Sequence, residues 1–146
     1  MTIPGRPPFQ KARKTTASVD AAVVALKSAI IAADVWVLHE IDPQALLHRG
    51  GIEIGPARQL LFFHPRFMKR LLDAEPAAGL EAPLKFLVLP EGPDVVVRWY
   101  DPLQSFSRYG VPALSALGVE LSALCEQIAE AACTDQPQDR QLSEQS

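Results

Sequence analysis

A chain of 146 residues, 48% of them hydrophobic and 21% charged, has the length of one ordinary domain and is too apolar for a disordered segment. Its formal net charge of −3 argues against a general nucleic-acid binder, because duplex affinity comes chiefly from neutralising phosphates with Lys and Arg. No stretch approaches a membrane span or the apolar core of a secretory signal. The two cysteines, Cys125 and Cys133, fall on one helix about 12 Å apart, beyond disulfide reach, and are expected as free thiols of a cytoplasmic protein.

In chain order, residues 1–8 are expected to form a flexible arm and Phe9 to Thr15 a first strand. Ser18 caps a helix in which Val19, Val23, Leu26 and Ile30 make one buried stripe ending near Ala33. Asp34 to Ile41 reads as a strand with Trp36, Leu38 and Glu40 on one face and Val35, Val37, His39 and Ile41 on the other.

A punctuation then recurs. Asp42-Pro43, His64-Pro65 and Asp101-Pro102 each follow a strand and open a helix, since proline suits the first helical position and the residue before it can cap. Gly50-Gly51 closes the first of these helices. In the second, from His64-Pro65 to Leu72, Phe67, Met68, Leu71 and Leu72 make the buried side. Between the second and the third lie two apolar runs, Leu84 to Leu89 and Val95 to Tyr100, joined at Glu91-Gly92-Pro93-Asp94. Turn residues between two β-rich runs predict a hairpin.

A last helix is expected from Pro112 to about Ala132, with Leu114, Leu117, Leu121, Leu124, Ile128 and Ala131 as its stripe. It covers too few heptads for a coiled coil and packs on the domain's own sheet. Residues 134–146 are polar and glutamine-rich and are expected to be a disordered tail, which leaves 9–133 as one domain. The mixed order of elements predicts an α+β fold, a two-layer sandwich of a mostly antiparallel sheet and helices. Leu60 to Phe63, Phe86 to Leu89 and Val95 to Val97 are nevertheless apolar on both faces, so helices, a second copy of the chain or a ligand must cover the second face.

Four sets of residues carry candidate chemistry. If the strand ends before the three prolines lie side by side, Asp42, His64 and Asp101 converge, and with His39 or His48 they would suit a divalent metal; the plain alternative is that each is a helix cap. His39, His48 or His64 could serve as a haem ligand on an apolar sheet face. Lys85, between apolar neighbours that could lower its pKa, invites a Schiff base or an anion clamp and is a candidate ligand residue together with His39 and Asp101; its plain alternative is an edge-strand lysine that discourages pairing. Arg58, Arg66, Lys69 and Arg70 read as a solvated face before they read as a phosphate site. No Gly-rich phosphate loop, Gly-x-Ser-x-Gly elbow or paired-cysteine metal motif occurs.

Gly79-Leu-Glu-Ala-Pro-Leu-Lys-Phe-Leu-Val88, followed by a strand ending in Asp101-Pro102, resembles the bacterial domain-of-unknown-function family 302. Val37-Leu-His-Glu-Ile-Asp42, the Gly50-Gly51 turn and the strand ending at His64-Pro65 fall in that family's order, so the resemblance covers about residues 10 to 130. It implies a compact α+β domain with a topology like half of a TATA-binding-protein fold, and a dimer. It implies no activity and carries over no catalytic residue. The chain departs from the family in having Phe63-His64-Pro65 where Gly-Asn-Pro is common, and Leu89-Pro90-Glu91 where Trp-Glu-Asp is common. The expected function is a small binding or accessory module, a homodimer holding a small molecule, metal or haem. A purely structural or regulatory interaction domain is the second reading and an enzyme the third.

Overall fold

The computed structural model describes residues 7–134; the expected arm, but for Pro7 and Pro8, and the expected tail, but for Thr134, lie outside the described residues. The strands are β1 (Gln10–Thr15), β2 (Trp36–Ile41), β3 (Arg58–Phe63), β4 (Leu84–Glu91) and β5 (Asp94–Tyr100). The helices are α1 (Val19–Ala32), α2 (Pro43–Arg49), α3 (Pro65–Ala74), α4 (Pro102–Ser107) and α5 (Pro112–Cys133), with a 3-10 helix at Pro76–Glu81. The strands form one sheet in the order β1-β5-β4-β3-β2 with every neighbouring pair antiparallel. This is the α+β sandwich read from the sequence.

Local signals account for most boundaries. The Ser18 hydroxyl accepts the Ala21 N–H at 3.1 Å and starts α1. The helix exit uses Asp34 at φ 60°, a left-handed position that Asp tolerates better than most side chains, so the strand begins at Trp36 rather than at Asp34. Gly92, at φ 62°, turns the hairpin between β4 and β5.

Helices α1 and α5 pack on each other and on one face of the sheet. Leu60, Phe62, Phe86, Val88, Val97 and Trp99 point into that layer and meet Val23, Leu26 and Ile30 of α1 and Leu114, Leu117, Leu121 and Ile128 of α5. Phe62 stacks on Phe86 at 4.6 Å, and Trp99 meets Phe86 edge-on at 5.5 Å. Each large side chain so buried contributes about 1.5–3 kcal/mol. On α5 the expected stripe is partly corrected: Leu124 is half-buried and Ala131 exposed, while Cys125, Ala129 and Ala132 are buried. A pattern of threes and fours drifts around a helix of 3.6 residues per turn, and the contact stripe drifts with it.

A bulge corrects the face assignment of β2. The register with β3 shifts between Val37 and His39, so that Trp36, His39 and Ile41 oppose Phe63, Leu61 and Gln59, while Val37 and Glu40 oppose Phe62 and Leu60. The extra residue, Leu38, reverses every later side chain. Glu40 therefore reaches Lys27 of α1, and His39 joins the other face. That face carries Ile41, Leu61, Leu87, Leu89 and Val96, none of which joins the helix-covered core.

Candidate functional site

The three residues before the prolines are caps. Asp42 Oδ1 accepts the Ala45 N–H at 3.0 Å, His64 Nδ1 accepts the Arg66 N–H at 3.1 Å, and Asp101 Oδ1 accepts the Leu103 N–H at 3.1 Å. The expected convergence does not occur, because β2 runs antiparallel to β3. Asp42 sits beside Arg58 at the start of β3, at 3.1 Å, and His64 follows the other end of that strand, roughly 20 Å away. Asp101 shares the His64 end of the sheet but lies across β4 from it, roughly 10 Å off. Among the described residues no group of His, Cys, Asp or Glu side chains is placed to hold a metal ion.

The histidines are equally dispersed. His39 lies opposite Leu61 on the face that α1 and α5 do not cover. His48 is exposed on α2 and bonded to Glu53. His64 lines a groove of about 550 Å³ with Trp36, Leu38, Phe63, Met68 and Leu72. Its Nδ1 accepts a backbone N–H, so the neutral ring carries its proton on Nε2 and presents a donor there, with no lone pair for iron or another metal. The groove also corrects α3: Leu72, expected in the core, is exposed as part of the groove wall, with Met68 half-buried beside it. Its two charged residues, Lys69 and Asp73, pair with each other at 2.9 Å.

Lys85 lies elsewhere, and not at an edge. Strand β4 is the centre of the sheet, and Lys85 shares its outer face with Leu87 and Leu89 as expected. The pairing of β4 with β5 runs from Glu91–Asp94 to Leu87–Arg98 and stops there, whereas β4 stays paired with β3 to Leu84 and β5 with β1 to Tyr100. The sheet thus forks between β4 and β5. Two recesses meet at this fork and share Lys85, Trp99 and Tyr100 as lining. The outer one, about 150 Å³, is bordered by Gln10, Gln59, Leu87 and Arg98. The inner one, about 220 Å³, runs between Leu80, Glu81 and Pro83 on one side and Pro102, Ser105 and Phe106 on the other.

The electrostatics of the fork are lopsided. Trp99 is 4% exposed, and its indole Nε1 is buried without a hydrogen-bonding partner in the protein. An unpaired buried donor costs about 1–3 kcal/mol, so such a group needs an explanation. Arg98 gives two nitrogens to Glu91, at 2.6 and 2.7 Å, which holds that carboxyl below its ordinary range, yet its Nη1 is also buried and unpartnered. Lys85 has no ion-pair partner among the described residues. Glu81 accepts the Tyr109 hydroxyl at 2.7 Å, raising the phenol's pKa, and faces Arg108 at 3.8 Å. Asp101, also buried, takes the Ser122 hydroxyl at 3.0 Å besides its cap bond.

Of the ligand residues expected from the sequence, then, the structure keeps Lys85 at a recess, leaves Asp101 beneath it as a cap, and sets His39 two strands away. Trp99, Tyr100 and Arg98 were not among the candidates. A tryptophan in an apolar run reads as core, and nothing in its neighbours signals that its N–H is left over. The remaining candidates are structural. Cys125 and Cys133 are free, and burial pushes both thiols up, so neither is a nucleophile. Arg58 is no solvated helix residue: it is the half-buried partner of Asp20, Glu40 and Asp42. Arg66 donates to the Asp34 carbonyl, and Arg70 pairs with Glu120.

The family described as Domain of unknown function DUF302 matches residues 11–132. An uncharacterised conserved DUF302 protein from Bacillus stearothermophilus has the same fold, with a TM-score of 0.81 at 16% identity, covering 88% of this chain and 100% of that one. No curated protein matches the chain. Among the described residues no helix is long and apolar enough to cross a membrane. The segment from Leu80 to Lys85 that resembles the family walls the inner recess, and the chain belongs to the DUF302 family.

Proposed function

We propose that the protein is a small-molecule binding module whose site is the fork between β4 and β5. The observation that carries this reading is the early end of the β4–β5 ladder, where two recesses meet and share Lys85, Trp99 and Tyr100 as lining. Lys85, exposed and without an ion-pair partner among the described residues, and Arg98 stand on the outer side of this fork, where the acceptors of a ligand would meet them. The inner recess is lined mainly by apolar groups with a few polar ones, the usual composition of a ligand pocket, although it is smaller than most. The two free thiols favour the cytoplasm as the working compartment.

A second copy of the chain completes the picture. Ile41, Leu61, Leu87 and Leu89 are half-buried on a sheet face outside the core, and isologous contact between two such faces would cover them. Native mass spectrometry of the purified protein tests both parts. The expected species at micromolar concentration is a dimer with retained small-molecule mass, and Leu87→Glu should convert it to a folded monomer. A wild-type monomer at that concentration would overturn the dimer.

A further inference from the structure

We infer that the outer recess of the fork holds a small monovalent oxyanion, of the size of acetate, between the Lys85 ammonium on one side of the split and Gln10 and Tyr100 on the other. This rests on the reading of the fork as a binding site and adds the chemistry of the ligand. The strand register decides which side chains share the recess. Leu87 opposes Arg98 on β5 and Gln59 on β3, Lys85 opposes Leu61, and Gln10 of β1 opposes Tyr100. Directly opposed residues, and residues two apart on one strand, point to the same face. Lys85, Gln59, Arg98, Gln10 and Tyr100 therefore stand together on the face outside the helix-covered core, and all five line the outer recess. The Trp99 ring belongs to the core on the other face and takes no part.

Charge decides the sign of the ligand. On this face Glu91 neutralises Arg98 through two hydrogen bonds, and Lys14 faces Asp94 at 3.3 Å. Lys85 is left without a counter-charge among the described residues, and no carboxylate lines the recess. Gln10 and Gln59 are half-buried, and neither side-chain amide has a hydrogen bond among the described residues. An amide both donates and accepts, so the glutamines suit either sign of ligand and the ammonium sets it. One ammonium balances one negative charge. An oxyanion with two oxygens suits a split site: one can take the ammonium on β4 while the other takes Gln10 or Tyr100 across the gap where the ladder has stopped. The recess of about 150 Å³ corresponds to roughly five water-sized volumes, which limits the bound group to a few non-hydrogen atoms. Under a second copy of the chain covering this face, Lys85 would lose water, and the anion supplies the counter-charge that its burial requires. The larger groove at His64 offers no such match, because its lysine is paired with Asp73.

The test follows the two glutamine side-chain amides in nitrogen-15 correlation spectra, assigned by their disappearance in Gln10→Leu and Gln59→Leu. Sodium acetate and sodium chloride are titrated separately, with acetamide as the neutral molecule of acetate's shape. The expected result is a saturable shift of both amides with acetate in the millimolar range, and none with chloride or acetamide. Lys85→Met should weaken acetate binding about tenfold, the effect of one charge-assisted hydrogen bond, and Lys69→Met should leave it unchanged. Both lysines are exposed, so the two variants should melt near the parent temperature. If chloride reproduces the shifts, or if Lys85→Met leaves the acetate titration as it was, the recess attracts an adventitious ion only and the inference is overturned. If acetamide binds as tightly as acetate, the oxyanion is wrong while the fork stands as a binding site. If no probe moves the amides, the anion is overturned, and the fork falls with it where the native mass spectrum also shows no retained mass.

Discussion

The groove at His64 and the fork at Trp99 are both concave and both border exposed aromatic side chains, but they differ in what is left unpaired. The groove is more than twice the volume of the inner recess, about 550 against about 220 Å³. Its polar atoms are largely spent: the imidazole caps α3 and Lys69 answers Asp73. The fork is smaller and retains buried donors without acceptors. Volume measures how much surface a ligand could cover; unsatisfied polar atoms measure which chemistry would be favoured on arrival. By that criterion the smaller cavity is the one we propose as the site.

The two tryptophans give the widest test of the contrast. Trp99 is part of the core and Trp36 is 53% exposed on the groove. Trp99→Ala should cost about 3–5 kcal/mol and Trp36→Ala under about 1 kcal/mol in urea denaturation. Equal losses would mean that the groove is packed as tightly as the fork. Next in size is Gly118→Val on α5. Even a Cβ there would stand 2.9 Å from the Pro102 carbonyl oxygen and 3.0 Å from Phe106 Cβ, and both residues wall the recess. Because a backbone carbonyl cannot rotate away, α4 must shift, with a loss of about 2–3 kcal/mol and a weakened fork site. A displaced Trp99 indole signal in the nitrogen-15 correlation spectrum of this variant would show that the recess moved.

His64→Ala removes the cap and should cost about 1 kcal/mol, with His64→Asn restoring or exceeding the parent stability and neither change affecting the fork. A metal or ligand role for the imidazole would instead appear as a functional loss in His64→Asn. The smallest effect concerns Glu91, whose carboxyl is held below its ordinary value of 4.5 by hydrogen bonds from Arg98. A lowered native pKa contributes stability above the unfolded value and loses it as the pH falls through the native one. Glu91→Gln should therefore be less stable than the parent by about 0.5–1 kcal/mol at pH 7, and the gap should close in acid below 4.5. A gap that persists there would mean the pair is held by packing rather than charge.

Read from the sequence, the elements were largely legible, and the reasons are local. Ser18, Asp42, His64 and Asp101 are caps because a side-chain acceptor beside a proline meets the orphan N–H groups of a helix start wherever the chain goes next. The hairpin was legible from Gly92-Pro93 between two apolar runs. The β2 bulge was not. Period-two alternation assumes an unbroken register, and one extra residue at Leu38 moved His39 and Glu40 to opposite faces from those expected. Leu72 misled in the opposite direction: an apolar residue on the apolar side of α3 proved to be the wall of a groove.

The site was less legible than the fold, for a reason that separates the two kinds of information. Residue types and their spacing determined the caps, the helix-covered core, the central hairpin and the family, since each depends on neighbours within a few positions or on a periodic pattern. Whether strand ends meet depends on strand order and direction. The antiparallel course of β2 and β3 put Asp42 roughly 20 Å from His64 and dissolved the expected metal set. The order β5-β4-β3 moved Lys85 from a presumed edge to the centre. The early end of the β4–β5 ladder, and with it the unpaired indole of Trp99, was decided only when the strands took their places, because a hydrogen bond left unmade is a property of the assembled sheet and of no single segment.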